Sequence, residues 1–150
     1  MEVGLAEISS LRNDRSQQVT DLSDALTHFF ADKNCGDGIK MFTIGIICIG
    51  PEFTLFKKKE PRVRYTRGKK SMVVHGVPFE IEDSFEYSIS IDHDAFVSAP
   101  TKLEAQKVIA SAIWSSLNVL DRWKRKIPDV DLDLLKLYFY LFFKLNELIE

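Results

Sequence analysis

A chain of 150 residues suits one domain and leaves little room for two. With 45% hydrophobic and 28% charged residues it has the balance of a folded soluble protein, which excludes disorder as its main state and fibrous repeats. Twenty basic against 22 acidic side chains give a net charge of −2, which argues against bulk electrostatic binding to nucleic acid or anionic lipid.

Residues 1–18 turn polar towards their end and are expected to form a flexible or loosely packed arm, with room for a short element near 3–8. One α+β domain is expected over 19–150. Leu22, Ala25, Leu26, Phe29 and Phe30 recur at helical spacing, with Thr20 as the expected N-cap. Gly36, able to take a left-handed conformation, ends that helix. The run 40–49 is β-branched and apolar on both alternating faces, the pattern of a strand that lies centrally in a sheet or is covered on both sides. Gly50-Pro51 stops it.

Residues 62–67 alternate, Gly68-Lys69-Lys70 reads as a turn, and 71–77 as the return strand of a hairpin. Along 82–92, Phe85, Tyr87, Ile89 and Ile91 share one face, while Ser84, Glu86, Ser88, Ser90 and Asp92 share the other. One side of that strand is therefore buried and the other wet. Thr101-Lys102-Leu103-Glu104 is a capping-box pattern that opens a long helix carrying Ile109, Ile113, Leu117 and Leu120. Basic residues at 122–126 suit its C-terminal end, and Asp129, Asp131 and Asp133 suit the start of the last helix. That last helix is apolar around most of its circumference, so it must be covered on several sides, either inside the core or at a protein interface. The fold expected is α+β: an N-terminal helix, about four antiparallel strands, and two C-terminal helices packed on one sheet face.

The chemistry-bearing residues form no catalytic signature. His28 lies off the apolar stripe, His75 falls in a strand, and His93 stands between Asp92 and Asp94 without a nucleophile. Cys35 and Cys48 are too few for a disulfide framework or a four-ligand zinc site and are read as reduced thiols. Asp129, Asp131 and Asp133 begin like a calcium loop, but Leu134 and Tyr140 occupy the positions that need glycine and glutamate. No metal or cofactor is expected. Residues 1–10 lack a signal-peptide pattern, and 132–149 is too interrupted by polar residues to span a membrane, so the cytoplasm is the expected location.

Charge is the informative surface feature. Residues 57–70 carry Lys57, Lys58, Lys59, Arg62, Arg64, Arg67, Lys69 and Lys70 against Glu60 alone. Residues 80–94 carry Glu80, Glu82, Asp83, Glu86, Asp92 and Asp94 with no Lys or Arg. Either the two blocks pair internally, with Arg62 and Arg64 facing Glu86, or one of them steers a partner. The basic face of Lys57, Lys58, Lys59, Arg62, Arg64, Tyr65 and Arg67 could alternatively make a nucleic-acid-binding module, through phosphate contact and stacking on Tyr65. A small hydrolase built on His93 and its aspartates is a third reading.

The segment 41–53 (MFTIGIICIGPEF), followed by a basic stretch, an alternating strand and a long helix with Ile113-Trp114 and Trp123, resembles the immunity protein 44 family of bacterial polymorphic-toxin immunity proteins. The resemblance runs from about residue 40 to the end. It implies a cytoplasmic, non-enzymatic α+β protein that neutralises the toxin domain of a contact-dependent or secreted effector by stoichiometric binding. Against a nuclease toxin with a basic cleft, clustered carboxylates would mimic nucleic acid. The candidates are Glu80, Glu82, Asp83, Glu86, Asp92, Asp94, Asp129 and Asp131; against an acidic toxin face the basic hairpin takes over. A homodimer through the apolar last helix is the further partner to consider.

Overall fold

The computed structural model describes residues 1–7, 16–35, 40–49, 63–74, 76–120 and 131–149. The described elements are β1 (Glu2–Glu7), α1 (Ser16–Phe30), β2 (Met41–Ile49), β3 (Val63–Val74), β4 (Val77–Asp92), α2 (His93–Val97), α3 (Lys102–Val119) and α4 (Leu132–Leu145). The four strands form one sheet in the order β1-β2-β4-β3. β1, β2 and β4 run parallel, and only β3 runs antiparallel, against β4.

This corrects the expected antiparallel sheet with a helix in front: the first element is a strand. β1 and β2 are parallel neighbours joined through α1, the connection that parallel pairing needs. The doubly apolar β2 lies between β1 and β4, in the position that its composition suits. The expected hairpin is also displaced. Residues 68–70 lie within β3, where the register shifts between Thr66 and Lys69. Val74 pairs with Val77, and the turn closes at Gly76, whose φ of +76° a side chain would strain.

The register lines up one continuous apolar face. Val3, Phe42 and Phe85 stand in one row, Leu5, Ile44 and Tyr87 in the next, then Ile46 beside Ile89. All of these but the half-buried Leu5 are buried, as is Ile91. Helix α3 lays Ala105, Ile109, Ala110, Ile113 and Leu117 into the core, and α4 adds Leu132, Leu135, Phe139, Phe142 and Phe143. Phe139 meets Phe42 at 6.1 Å and Phe30 at 4.9 Å between ring centroids, joining sheet, α4 and α1. Helix α1 buries Leu22, Leu26 and Phe30 from its stripe, but it begins at Ser16, so Thr20 is inside the helix and is not its N-cap.

Helix α1 also closes one edge of the sheet. The Glu2 N–H donates to Lys40, on the β2 side, so Val3 and Leu5 direct their backbone groups away from β2. There the Leu5 N–H donates to Ser23 Oγ at 2.9 Å, and Thr27 Oγ1 donates to the Val3 carbonyl at 2.7 Å. Two helix hydroxyls thus satisfy backbone groups that would otherwise invite another strand.

Thr101 caps α3 by accepting the Glu104 N–H at 3.1 Å. Asp131 caps α4 by accepting the Leu134 N–H at 3.0 Å, with Asp133 in the first turn. Trp123, the basic run 122–126 and Asp129 lie outside the described residues.

Candidate functional site

The candidate carboxylates are divided between the two ends of the sheet. Asp83 lies at the end where the parallel strands begin, because the Lys40 N–H donates to its carbonyl at 2.8 Å just before β2 starts. Its backbone is left-handed, with φ at +43°. Its carboxylate is 4.0 Å from Lys40 Nζ. Asp131 belongs to the same end: its N–H donates to the Cys35 carbonyl at 2.7 Å, and the Met1 ammonium, just before β1, donates to the nearby Lys33 carbonyl. Burial pushes the Cys35 thiol from its ordinary 9.0 to about 11, with the Asp131 charge adding to the rise.

Asp92 and Asp94 lie at the other end. Asp92 closes β4 opposite Ile49 of β2. The pairing from Met41 to Ile49 covers nine residues, about 26 Å at the rise of a strand, so no compact patch holds both groups of carboxylates. Asp92 is exposed and caps α2, its Oδ1 accepting the Ala95 N–H at 3.1 Å. Asp94 is exposed in the first turn of the same element, and its Oδ1 is 3.6 Å from His93 Nδ1. His93 therefore begins a helix, just past the expected strand, and this allows the contact with its neighbour. The cap had a legible signal: an aspartate ahead of a short helical stretch that ends before Pro100.

The two charge blocks lie on adjacent strands. Arg64 stands opposite Glu86, Lys69 opposite Glu82, and Ser71 opposite Glu80. Glu86 is half-buried. The register sets the basic positions of β3 beside the acidic positions of β4. Tyr65 stands opposite Phe85, on the row of the apolar face, and Arg67 falls within the register irregularity. Lys57, Lys58, Lys59 and Arg62 lie outside the described residues, as does His75. His28 is exposed near the end of α1.

Among the described residues no group of three or more His, Cys, Asp or Glu side chains could hold a metal ion. No helix among them is long and apolar enough to cross a membrane.

A different feature stands out on α4. Its inner side is in the core, yet Leu137, Tyr140, Leu141 and Leu145 are exposed at 50, 40, 42 and 73%. Trp114 of α3 lies against Tyr140 at 5.9 Å between centroids and carries the apolar surface onto the next helix. The all-round apolar composition of this helix thus has two causes, a core side and an outward side.

No curated protein and no solved structure matches the chain. The family model described as Immunity protein 44 matches residues 1–144. The match takes in β1 and α1, which the resemblance from residue 40 onward left out, and ends in the last turn of α4. The chain belongs to the immunity protein 44 family.

Proposed function

We propose that the protein binds a cognate bacterial toxin domain and neutralises it as a stoichiometric inhibitor, without catalysis of its own. The observation that carries this reading is the family match across nearly the whole chain. The toxin-facing surface we assign to the end of the sheet where β4 passes into α2. Support comes from exposure and charge: Asp92 and Asp94 both reach solvent there, whereas Glu82 and Glu86 stand opposite basic residues of β3. A pair of exposed carboxylates at a strand–helix junction suits a basic cleft, such as that of a nuclease toxin.

Co-expression with a toxin domain encoded by a neighbouring gene tests the proposal. Growth should be restored by this chain, and the two purified proteins should form a one-to-one complex. Continued arrest, or turnover of a substrate by the purified chain, sinks the idea.

A further inference from the structure

We propose that a second copy of this chain covers the outward side of α4, with the two helices antiparallel across a two-fold axis. Six large hydrophobic residues are exposed among the described residues, and four of them, Leu137, Tyr140, Leu141 and Leu145, are on this one helix. Leu137 and Leu141, one turn apart, lie opposite the buried side formed by Leu135, Phe139 and Phe142. Scattered apolar residues on a surface are ordinary; a row along one helix, widened by Trp114 from α3, marks an interaction face.

The charges at the two ends of this row indicate which partner fits. Asp133 lies on the same side one turn before Leu137, and Lys144 on the same side near the C-terminal end; both are exposed. The pair Leu137 and Leu141 and the pair Asp133 and Lys144 share a centre next to Phe139. An antiparallel copy rotated about that centre sets Leu137 against the partner's Leu141. It also brings Asp133 to the partner's Lys144, twice over by symmetry. Opposed helix dipoles favour the same arrangement. A fourteen-residue helix offers a strip about 21 Å long and 10–12 Å wide, less than the ~800 Å² per partner of a standard interface, so the association is reversible and depends on concentration.

Sedimentation equilibrium over a loading series tests this. The chain should approach twice its 17.2 kDa mass at high loading. Leu137→Asp together with Leu141→Asp should hold it at one chain mass. Asp133→Lys and Lys144→Asp should each weaken self-association by roughly tenfold, as expected when two symmetry-related exposed ion pairs become repulsive. Mixing those two variants should restore the dimer as a heterodimer, because each then meets its opposite charge. Circular dichroism melts confirm that every variant is folded. A chain that stays monomeric at all loadings overturns the proposal. So does a dimer indifferent to these substitutions, and so does an α4 face protected from hydrogen exchange only when the toxin domain is added. Toxin rescue is a separate readout, so loss of the dimer and loss of the inhibitory function can be told apart.

Discussion

Tyr87 is buried among phenyl rings, 5.5 Å from Phe42 and 6.1 Å from Phe85 between centroids, with its hydroxyl 3.0 Å from Ser116 Oγ. Ser116 Oγ also lies 2.6 Å from the Ile113 carbonyl, which accepts its proton. A serine hydroxyl has only one proton to give, so Tyr87 completes the chain by donating to Ser116. Ser116→Ala strands the buried phenol and should cost about 1–3 kcal/mol in chemical denaturation. Tyr87→Phe removes the need along with the group, so the double variant should lose less than the two single losses added together. Buried acids also set an alkaline limit on stability. The Cys35 pKa is raised in the folded state, so its contribution is complete below pH 9.0 and is lost as pH rises towards about 11. The slope in that window should be about 1.4 kcal/mol per pH unit. Burial raises the Tyr87 phenol too, extending the loss above pH 10. Cys35→Ala should flatten the fall between pH 9 and 11 in a series of urea midpoints; an unchanged profile would remove Cys35 as its cause.

Helix α1 shields β1 through two hydroxyls, a role that its apolar stripe does not reveal. Ser23→Ala deprives the Leu5 N–H of its acceptor, so the Leu5 amide should exchange faster by NMR while the amides of β2, paired on both sides, keep their protection. At the start of α3 the local code is complete in four residues: Thr101→Ala should cost about 1 kcal/mol, and Thr101→Ser should restore most of it. The contrast between these two elements explains what could be read ahead of the structure. The cap of α3, the stripe of α1 and the alternation of β4 depend on neighbours a few residues apart, and they are legible; the cap of α1 is not, since the helix starts four residues before Thr20. The pairing of Val3 with Phe42 or of Phe42 with Phe85 joins segments about forty residues apart, and no local pattern states it. β1 was the hardest to read: six residues with Gly4 and Ala6 among them have weak strand character, and β2 recruits them from the far side of α1. The turn at Gly76 was hidden for a different reason. Gly68-Lys69-Lys70 is a stronger turn signal than the residues around Gly76, yet a register irregularity absorbs it within one long strand.

At the scale of the molecule, the sequence shows two charge blocks, but only the register shows them side by side. Arg64 pairs in register with Glu86 and Lys69 with Glu82, so basic and acidic positions are neighbours on β3 and β4, while Asp92 and Asp94 are exposed at the far end of β4 and the start of α2. Among the described residues the pairing reaches to Val63 opposite Tyr87, and β4 continues five residues to Asp92. If those carboxylates guide the toxin, their effect belongs to the encounter more than to the final fit. Asp92→Asn is the informative change, because asparagine caps a helix as well as aspartate and so removes charge without disturbing α2. Combined with Asp94→Asn, it should slow association with the cognate toxin domain by about tenfold at low salt. The dissociation rate should stay within a few-fold of the parent, and the difference in association should shrink as added salt shortens the Debye length below ~8 Å. Stopped-flow fluorescence at two salt concentrations separates the rates. An association rate that ignores both the substitutions and the salt would place the toxin on another surface. A gain confined to dissociation would instead mean that these carboxylates are buried in the complex, where losing a charge leaves its partner unpaired.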